Sequence, residues 1–267
     1  MDNKKVLDIR NLTVEFLSDK TTVHAVNGVN LSINKGETLG LVGETGAGKT
    51  TTALAIMGII QMPPGKITGG EIEFSDRGDL LKKKKREMRE IRGGEISMIF
   101  QDPMTSLNPA MTVGDQIAEM VMQHSSLTSR QAAEKAREML ETVGIPGSRA
   151  TEYPHQFSGG MKQRVMIAIA LACSPQLLIA DEPTTALDVT IQAQVLELMN
   201  NLKKSIDTAI LLITHDLGVV AETCEKVAIM YAGEILESGA VDDVFENPAH
   251  PYTVGLFQAI PDISQKR

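Results

Sequence analysis

The sequence predicts an α/β fold around a largely parallel sheet, and three observations lead to this prediction. The runs 176–183, 209–216 and 226–230 each contain a continuous apolar core, as strands buried on both faces do. A helical pattern at 190–204 separates the first two runs, which gives the strand–helix–strand alternation of a parallel sheet. A glycine-rich loop at 43–50 follows another apolar run and opens a helix, which is the arrangement of a phosphate-binding domain.

Composition and charge narrow the class of protein. The chain has 267 residues, 42% of them hydrophobic and 3% aromatic, which suits one large domain with an aliphatic core. Its net charge of −8 argues against a nucleic-acid partner, so none is predicted. The amino terminus lacks an apolar signal core, and the longest wholly apolar run, 165–173, falls short of the roughly 20 residues that span a bilayer. We therefore predict a cytoplasmic chain that could reach a membrane through a partner.

The elements before residue 103 are predicted from their local patterns. Leu12, Val14 and Phe16 alternate with polar residues, which indicates a strand at 12–16. Residues 23–33 indicate a second strand pair or the arm of a hairpin. Three more strands are predicted at 38–42, 70–74 and 95–100. The helix of this part is predicted at 49–57. The basic run 82–92 is interpreted as a solvated helix or loop face, with contact to anionic lipid as the alternative.

The middle of the chain changes to helical patterns separated by polar loops. Thr128 and Gln131 have the spacing of a capping box. One apolar helical face follows them, formed by Ala132, Ala136, Met139, Leu140 and Val143. We interpret residues 103–160 as a helical subdomain inserted into the α/β core, within a single domain that covers 1–267 and ends in an extension from about residue 240.

The loop GETGAGKT matches the phosphate-binding pattern G-x-x-x-x-G-K-[ST] in full. Gly43, Gly46 and Gly48 are expected to let the backbone curl so that successive N–H groups converge on a phosphate. The helix that opens near Lys49 adds the positive end of its dipole. Lys49 can reach the β- and γ-phosphates, and Thr50 can offer its hydroxyl to Mg²⁺. The loop predicts binding of a nucleoside triphosphate.

Two acidic residues follow the apolar strand that is predicted before residue 181. Side chains at the carboxyl end of a parallel strand face the ligand crevice. Asp181 is therefore placed to hold Mg²⁺, usually through a water molecule. Glu182 lies next to it and can act as a general base toward an attacking water, which favours hydrolysis over binding alone.

A second glycine-rich turn, Ser158, Gly159 and Gly160, precedes a helix of small residues. Its free N–H groups form another anion site. One phosphate group seldom needs two such sites in one chain, so we expect each to serve a different nucleotide. Two chains would then pack head to tail, with the first loop of one facing the second turn of the other across a shared ATP.

The order of GETGAGKT, FSGGMKQR, LLIADEPTTALD and LLITHD resembles the ATP-binding subunits of ABC transporters over nearly the whole chain. The resemblance implies a P-loop NTPase with a RecA-like core, an inserted α-helical subdomain and an N-terminal antiparallel β subdomain. It also implies that ATP and Mg²⁺ lie between two such domains. The residues that resemble the Walker A loop are Gly43, Glu44, Thr45, Gly46, Ala47, Gly48, Lys49, Thr50 and Thr51.

The other family motifs carry over residue by residue. Asp181 and Glu182 resemble the Walker B pair, and Ser158 to Gly160 resemble the signature motif, whose usual Gln at the next position is Met161 here. Gln101 resembles the Q-loop glutamine, which senses Mg²⁺ and links the core to the helical subdomain. The remaining assignments are the D-loop aspartate, the switch histidine that contacts the γ-phosphate and the aromatic residue that stacks on adenine, at Asp188, His215 and Phe16. The resemblance thus implies catalytic roles for Glu182, His215, Lys49 and Gln101.

Three stretches, 98–117, 153–171 and 247–261, resemble the dipeptide, oligopeptide and nickel importers, and the chain looks like their D-type subunit. This branch implies a second, non-identical ATPase, two permeases, an extracytoplasmic binding protein and a peripheral position on the inner face of the membrane. Many such subunits continue into a cysteine-rich tail that holds an iron–sulfur cluster. This sequence ends at Arg267 without that tail, as a shortened chain or a naturally short member would, and we predict no cluster. Peptide and nickel chelate both stay open as substrates.

Two other classes are weighed against the transporter ATPase. A soluble ABC ATPase acting on ribosomes or DNA usually carries two ATP domains or a long coiled coil, and this sequence has one Walker A loop and no heptad run. A nucleotide-gated scaffold without hydrolysis would be expected to lack Glu182 or His215, and both are present. A P-loop kinase would lack the second glycine turn.

Overall fold

The protein is described here from a computed structural model that covers residues 4–18, 21–101, 106–185 and 188–259. Within these ranges the chain forms two sheets. The strands of the first sheet, in chain order, are β1 (Lys5–Leu17), β2 (Thr22–Asn34), β4 (Gly65–Phe74) and β5 (Gly78–Asp79). Those of the second are β3 (Thr38–Val42), β6 (Ile96–Ile99), β7 (Leu177–Asp181), β8 (Ala209–Thr214), β9 (Lys226–Tyr231) and β10 (Glu234–Ala240).

The first sheet is antiparallel, with the order β2-β1-β4-β5. Leu7 and Ile9 of β1 are buried in the core, and so are Leu12 and Val14. Strict alternation cannot place both pairs on one face, because the first pair has odd numbers and the second has even numbers. A register shift between Ile9 and Leu12 restores the phase, and Asn11 within it has a positive φ of 50°. The strand is therefore much longer than the predicted 12–16, because a bulge joins two alternating segments.

The second sheet has the order β10-β9-β3-β8-β7-β6. All its pairings are parallel except that of β10 with β9. Every residue of β3, β7 and β8 is buried, as expected of central strands covered on both faces. The three apolar runs that predict a parallel sheet from the sequence form β7, β8 and β9.

Nine helices of the described residues cover these sheets or extend from them. In chain order they are α1 (Lys49–Ile56), α2 (Lys85–Ile91), α3 (Val113–His124), α4 (Ser129–Thr142), α5 (Gly159–Leu171), α6 (Val189–Ile206), α7 (Leu217–Thr223), α8 (Val241–Glu246) and α9 (Pro251–Gln258). None of them is both long and apolar enough to cross a membrane. The basic run 82–92 contains all of α2, in which Met88 and Ile91 are buried while Lys85, Arg86 and Arg89 are exposed.

Helices α3 and α4 lie between β6 and α5 in the chain and share one apolar cluster with the outer part of the parallel sheet. The predicted capping box of α4 is present, since Thr128 accepts from the Gln131 N–H and the Gln131 side chain accepts from the Thr128 N–H. Two 3-10 turns, Gly147–Thr151 and Pro154–Gln156, follow α4 and lead into α5. The limits 103–160 for an inserted subdomain stay a prediction.

Candidate active site

The glycine-rich loop runs from the end of β3 to the start of α1. Gly46 and Gly48 have φ values of 83° and 106°, so they supply the left-handed backbone that the curl requires. Gly43 has a different reason to be glycine. A Cβ added there would lie 2.1 Å from the carbonyl oxygen of Met230 in β9. Glycine at this position thus allows β9 to pass close to the loop, and its part in the curl stays a prediction.

The side chain of Lys49 is buried against the loop that precedes it. Its ammonium donates to the carbonyl oxygens of Gly43 at 2.6 Å and Glu44 at 2.9 Å. Burial lowers the pKa of Lys49, while the carboxylates of Glu182 and Asp181 act in the opposite direction. The ammonium of Lys49 therefore rests on two carbonyl oxygens of the loop.

The hydroxyl of Thr50 donates to Oδ1 of Asp181 at 3.2 Å. Thr50 lies in the first turn of α1, and Asp181 ends β7, so the parallel sheet and the loop bring the two groups together. Burial raises the pKa of Asp181, partly offset by the hydrogen bond from Thr50. The arrangement gathers two oxygen ligands of the kind that Mg²⁺ prefers.

Glu182 lies just past β7 with a positive φ of 47°. Its Oε2 accepts from Gln101 Nε2 at 2.8 Å and from the Thr185 hydroxyl at 2.9 Å, and its Oε1 lies 3.3 Å from Nδ1 of His215. Burial acts to raise the pKa of Glu182, but the bonds from Thr185 and His215 and the charge of Lys49 outweigh it and lower the pKa. The carboxylate is thus kept ionised, as a general base must be.

Most of these side chains line one cleft of about 270 Å³. Asp181 and Thr185 do not line it; they reach it through their hydrogen bonds with Thr50 and Glu182. The residues that line it are Ala25, Thr45, Gly46, Gly48, Lys49, Thr50, Thr51, Gln101, Glu182 and His215. Ala47 lies behind the loop, where its carbonyl oxygen accepts from the N–H of Gly233 at 2.9 Å. Residues more than 160 positions apart in the sequence thus converge at the carboxyl ends of β3, β7 and β8.

Three predicted sites lie elsewhere. The turn Ser158–Gly160 begins α5; the Ser158 side chain accepts from the Met161 N–H at 3.4 Å, and Gly159 is exposed. Asp188 is exposed and accepts from the Ile191 N–H at 3.0 Å near the start of α6. Phe16 is half-buried against the cluster that joins the two sheets. None of the three belongs to the lining of the cleft, so their nucleotide contacts stay predictions.

Sequence reasoning missed two contributors to the cleft. Thr185 holds the carboxylate of Glu182, but it stands in a threonine pair that carries no distinguishing pattern. Ala25 of β2 brings the antiparallel sheet to the phosphate-binding loop, and its carbonyl oxygen would lie 2.3 Å from a Cβ at Gly48. Only the packing of the two sheets shows this contact.

The fold and the cleft define the class of protein as a P-loop nucleoside triphosphatase. A phosphate-binding loop, a buried aspartate and an ionised glutamate meet at the ends of parallel strands. The second glycine turn on α5 and the neighbouring antiparallel sheet separate it from the simplest members of that class.

Comparison with known proteins gives the family. The ABC transporter family matches residues 26–185, and the oligopeptide/dipeptide transporter C-terminal region matches 236–267. The oligopeptide transport ATP-binding protein OppD of Bacillus subtilis is 54% identical over 97% of this chain and 73% of its own length. The dipeptide transport ATP-binding protein DppD of the same organism is 52% identical over 97% of this chain and 77% of its own length. The chain belongs to the ABC transporter family, among its ATP-binding subunits.

A solved structure supports the same assignment. The ATP-binding cassette MJ0796, in a dimeric post-hydrolysis state bound to ADP and Pi, matches with a TM-score of 0.78 and 26% identity. The match covers 88% of this chain and 98% of that one. The expected α/β P-loop fold with an antiparallel β subdomain is thereby confirmed, as is the assignment as an ATPase.

Proposed function

We propose that this chain is the ATP-hydrolysing subunit of an importer for dipeptides or oligopeptides. The observation that carries the proposal is the match of residues 236–267 to the C-terminal region of oligopeptide/dipeptide transporters, a segment outside the ATPase match. Relatives named as oligopeptide or dipeptide transport ATP-binding proteins are 51–54% identical to this chain.

The site is proposed to need a second ATPase subunit. Ser158–Gly160 offer free N–H groups at the start of a 13-residue helix, yet they do not line the cleft of their own chain. In a head-to-tail pair this turn would face the phosphates held by the partner. The dimeric state of MJ0796 supports this arrangement. The partner is proposed to be a non-identical cassette, as the D-type resemblance implies.

The roles of the cleft residues follow from its geometry. Mg²⁺ would be held by Thr50 and Asp181, with Gln101 beside them, and would neutralise charge on the phosphates. Lys49 would turn from its loop carbonyls to the phosphates. Glu182 would accept a proton from the attacking water once Gln101 and His215 release its carboxylate. His215 would then contact the γ-phosphate, and Asp188 and Phe16 would act at the dimer interface and at adenine.

The permeases are proposed to dock beside Gln101. A groove of about 380 Å³ lies between α2, β6, α3 and α5. Its apolar lining is made by Met57, Met98, Phe100, Leu107, Met120 and Met166. Phe100, 41% exposed, is the neighbour of Gln101, so a helix inserted there would bear directly on the residue that holds Glu182. Flexible methionines suit a surface that binds a helix through apolar contacts.

The proposed setting is the inner face of a cell membrane, where the chain lies in the cytoplasm against two permeases. An extracytoplasmic binding protein would deliver the substrate. Dimer closure on ATP and reopening after hydrolysis would drive the permeases between their two states.

Reconstitution with the candidate permeases, partner cassette and binding protein tests the proposal. We expect ATP-dependent uptake of labelled peptides into vesicles, and no uptake with Lys49→Ala in this chain. Uptake of nickel chelate without uptake of any di- or oligopeptide would contradict the proposed peptide substrate but not the proposed role of this chain as an importer ATPase. Peptide uptake that persists with Lys49→Ala would contradict the role of this chain.

A further inference from the structure

The turn Ser158–Gly160, called the signature turn below, has few side-chain contacts of its own beyond the Ser158 side chain, which accepts from the Met161 N–H at 3.4 Å. Two of its three residues are glycines, and a Cβ at Gly159 would meet no atom within 4 Å. Glycine leaves the backbone freer than other residues do, so the contacts of the flanking residues add to the helix geometry in setting the direction of the turn's N–H groups. One side chain, that of Arg149, holds both flanks, and the role proposed for it below rests on the proposed composite site.

Arg149 lies in the 3-10 turn Gly147–Thr151, nine positions before the signature turn. Its guanidinium carbon lies 4.4 Å from the centre of the Phe157 ring, and Phe157 is only 5% exposed. The same guanidinium donates through Nη2 to the carbonyl oxygen of Gln156 at 3.2 Å. Arg149 therefore holds the two residues that enter the signature turn, one by its ring and one by its backbone.

The residue that leaves the turn is held by the same group. Nη1 of Arg149 donates to the sulfur of Met161 at 3.5 Å. Met161 is the position where the family motif usually has glutamine. A glutamine side chain also offers an acceptor, a stronger one than a thioether. The contact gives a physical reason why methionine can stand at this position.

Glu152 fixes the orientation of the guanidinium. Its Oε1 and Oε2 accept from Nε of Arg149 at 3.0 and 2.9 Å, and Oε2 also accepts from Nη2 at 2.6 Å. The carbonyl oxygen of Glu152 accepts from the N–H of Val113 at 2.9 Å, which ties the cluster to the start of α3. Arginine suits this position because its planar fork can bind a carboxylate on one edge while its face covers a ring.

We propose that Arg149 is a positioning residue for the signature turn. It joins Gln156 and Phe157 before the turn to Met161 after it, and Glu152 anchors it to the helical region. The N–H groups of the turn are thereby held ready for the phosphates on a partner cassette. Arg149 does not line its own chain's cleft, so it would act on the composite site only through the turn.

The test uses the full chain with Arg149→Ala, Arg149→Lys and the control Arg130→Ala. Arg130 is 89% exposed and pairs only loosely with Glu134, at 3.6 Å. Hydrogen exchange at the amides of Phe157, Met161 and Lys162 is measured in the isolated chain. We expect faster exchange in both Arg149 variants and no change in the control, with the affinity for a fluorescent ATP analogue unchanged throughout.

Hydrolysis by the mixed pair supplies the second readout. Misplacing the turn should lower the turnover of the pair on the order of 10- to 100-fold. Met161→Gln should keep turnover near that of the unchanged chain, because an acceptor for Arg149 remains. Unchanged exchange in Arg149→Ala would overturn the proposal, as would faster exchange with full turnover. If the unchanged pair shows no hydrolysis, the proposed function fails, while the exchange measurement still decides whether Arg149 holds the turn.

Discussion

The substitution Gly159→Ala should lower ATP turnover by the mixed pair without lowering the stability of this chain. Gly159 begins α5, has no positive φ, and would place an added Cβ more than 4 Å from any neighbour. Alanine should therefore leave stability unchanged or raise it by about 0.5–1 kcal/mol, since glycine is the poorer helix former. The methyl group would stand where the account places the partner's γ-phosphate. Loss of such a preorganised anion contact costs on the order of 10²–10³ in kcat, or about 2.7–4 kcal/mol.

The assay compares Gly159→Ala with Gly255→Ala, which also adds a methyl group in open space on an exposed helix position. Thermal unfolding and ATP affinity of the isolated chain should match the unchanged protein in both variants. Turnover of the mixed pair should fall only in Gly159→Ala. Gly160→Ala is a poorer probe, because its Cβ would lie 2.6 Å from Cγ2 of Ile191 and would disturb the fold as well. Full turnover of the pair with Gly159→Ala would refute the composite site.

Three further changes test other parts of the structure. Thr185→Val removes the 2.9 Å hydrogen bond to Glu182, so kcat should fall about tenfold, or ~1.4 kcal/mol, with ATP affinity kept; an unchanged kcat would contradict that role. Gly43→Ala forces a Cβ to 2.1 Å from the Met230 oxygen and should cost about 1–3 kcal/mol in urea unfolding and weaken ATP binding. Asp79→Asn should cost about 1–2 kcal/mol at pH 7, because the carboxylate caps a turn through the N–H of Leu81.

The Asp79 effect also has a predicted pH dependence. Burial acts to raise the pKa of Asp79, but hydrogen bonds from two backbone N–H groups and the charge of Lys82 outweigh it and lower the pKa. The stabilisation is therefore present above the unfolded pKa, about 3.9, and is lost as the pH falls through the lower folded value. The difference in unfolding free energy between the unchanged chain and Asp79→Asn should shrink below pH 4, and a constant difference would contradict the argument.

The parallel sheet and the main cleft were predictable because their signals are local. The strands β7, β8 and β9 are continuous apolar runs, and the loop 43–50 carries its chemistry in consecutive residues. The same holds for the capping box at Thr128, which needs only a three-residue spacing. Patterns of this kind are set by the chain's own geometry and do not depend on distant packing.

Other features depend on contacts that no local pattern carries. The bulge at Asn11 hides the alternation of β1, and the reason for Gly43 lies in the carbonyl oxygen of Met230 on a distant strand. The hydrogen bonds from Thr185 to Glu182 and from Arg149 to Met161 depend on where the loops lie after folding. Tertiary packing determines the roles of these residues. The motifs could therefore be identified from the sequence alone, but the residues that support them could not.

Steady-state ATP hydrolysis can show whether two cassettes share each nucleotide. Turnover is measured for this chain alone and mixed with each candidate partner cassette, with Glu182→Gln as the control. We expect slow turnover by this chain alone, a large rise with one partner, and loss of that rise with Glu182→Gln. Fast turnover by this chain at concentrations at which it is monomeric, or ATP binding without turnover in any pair, would contradict this expectation.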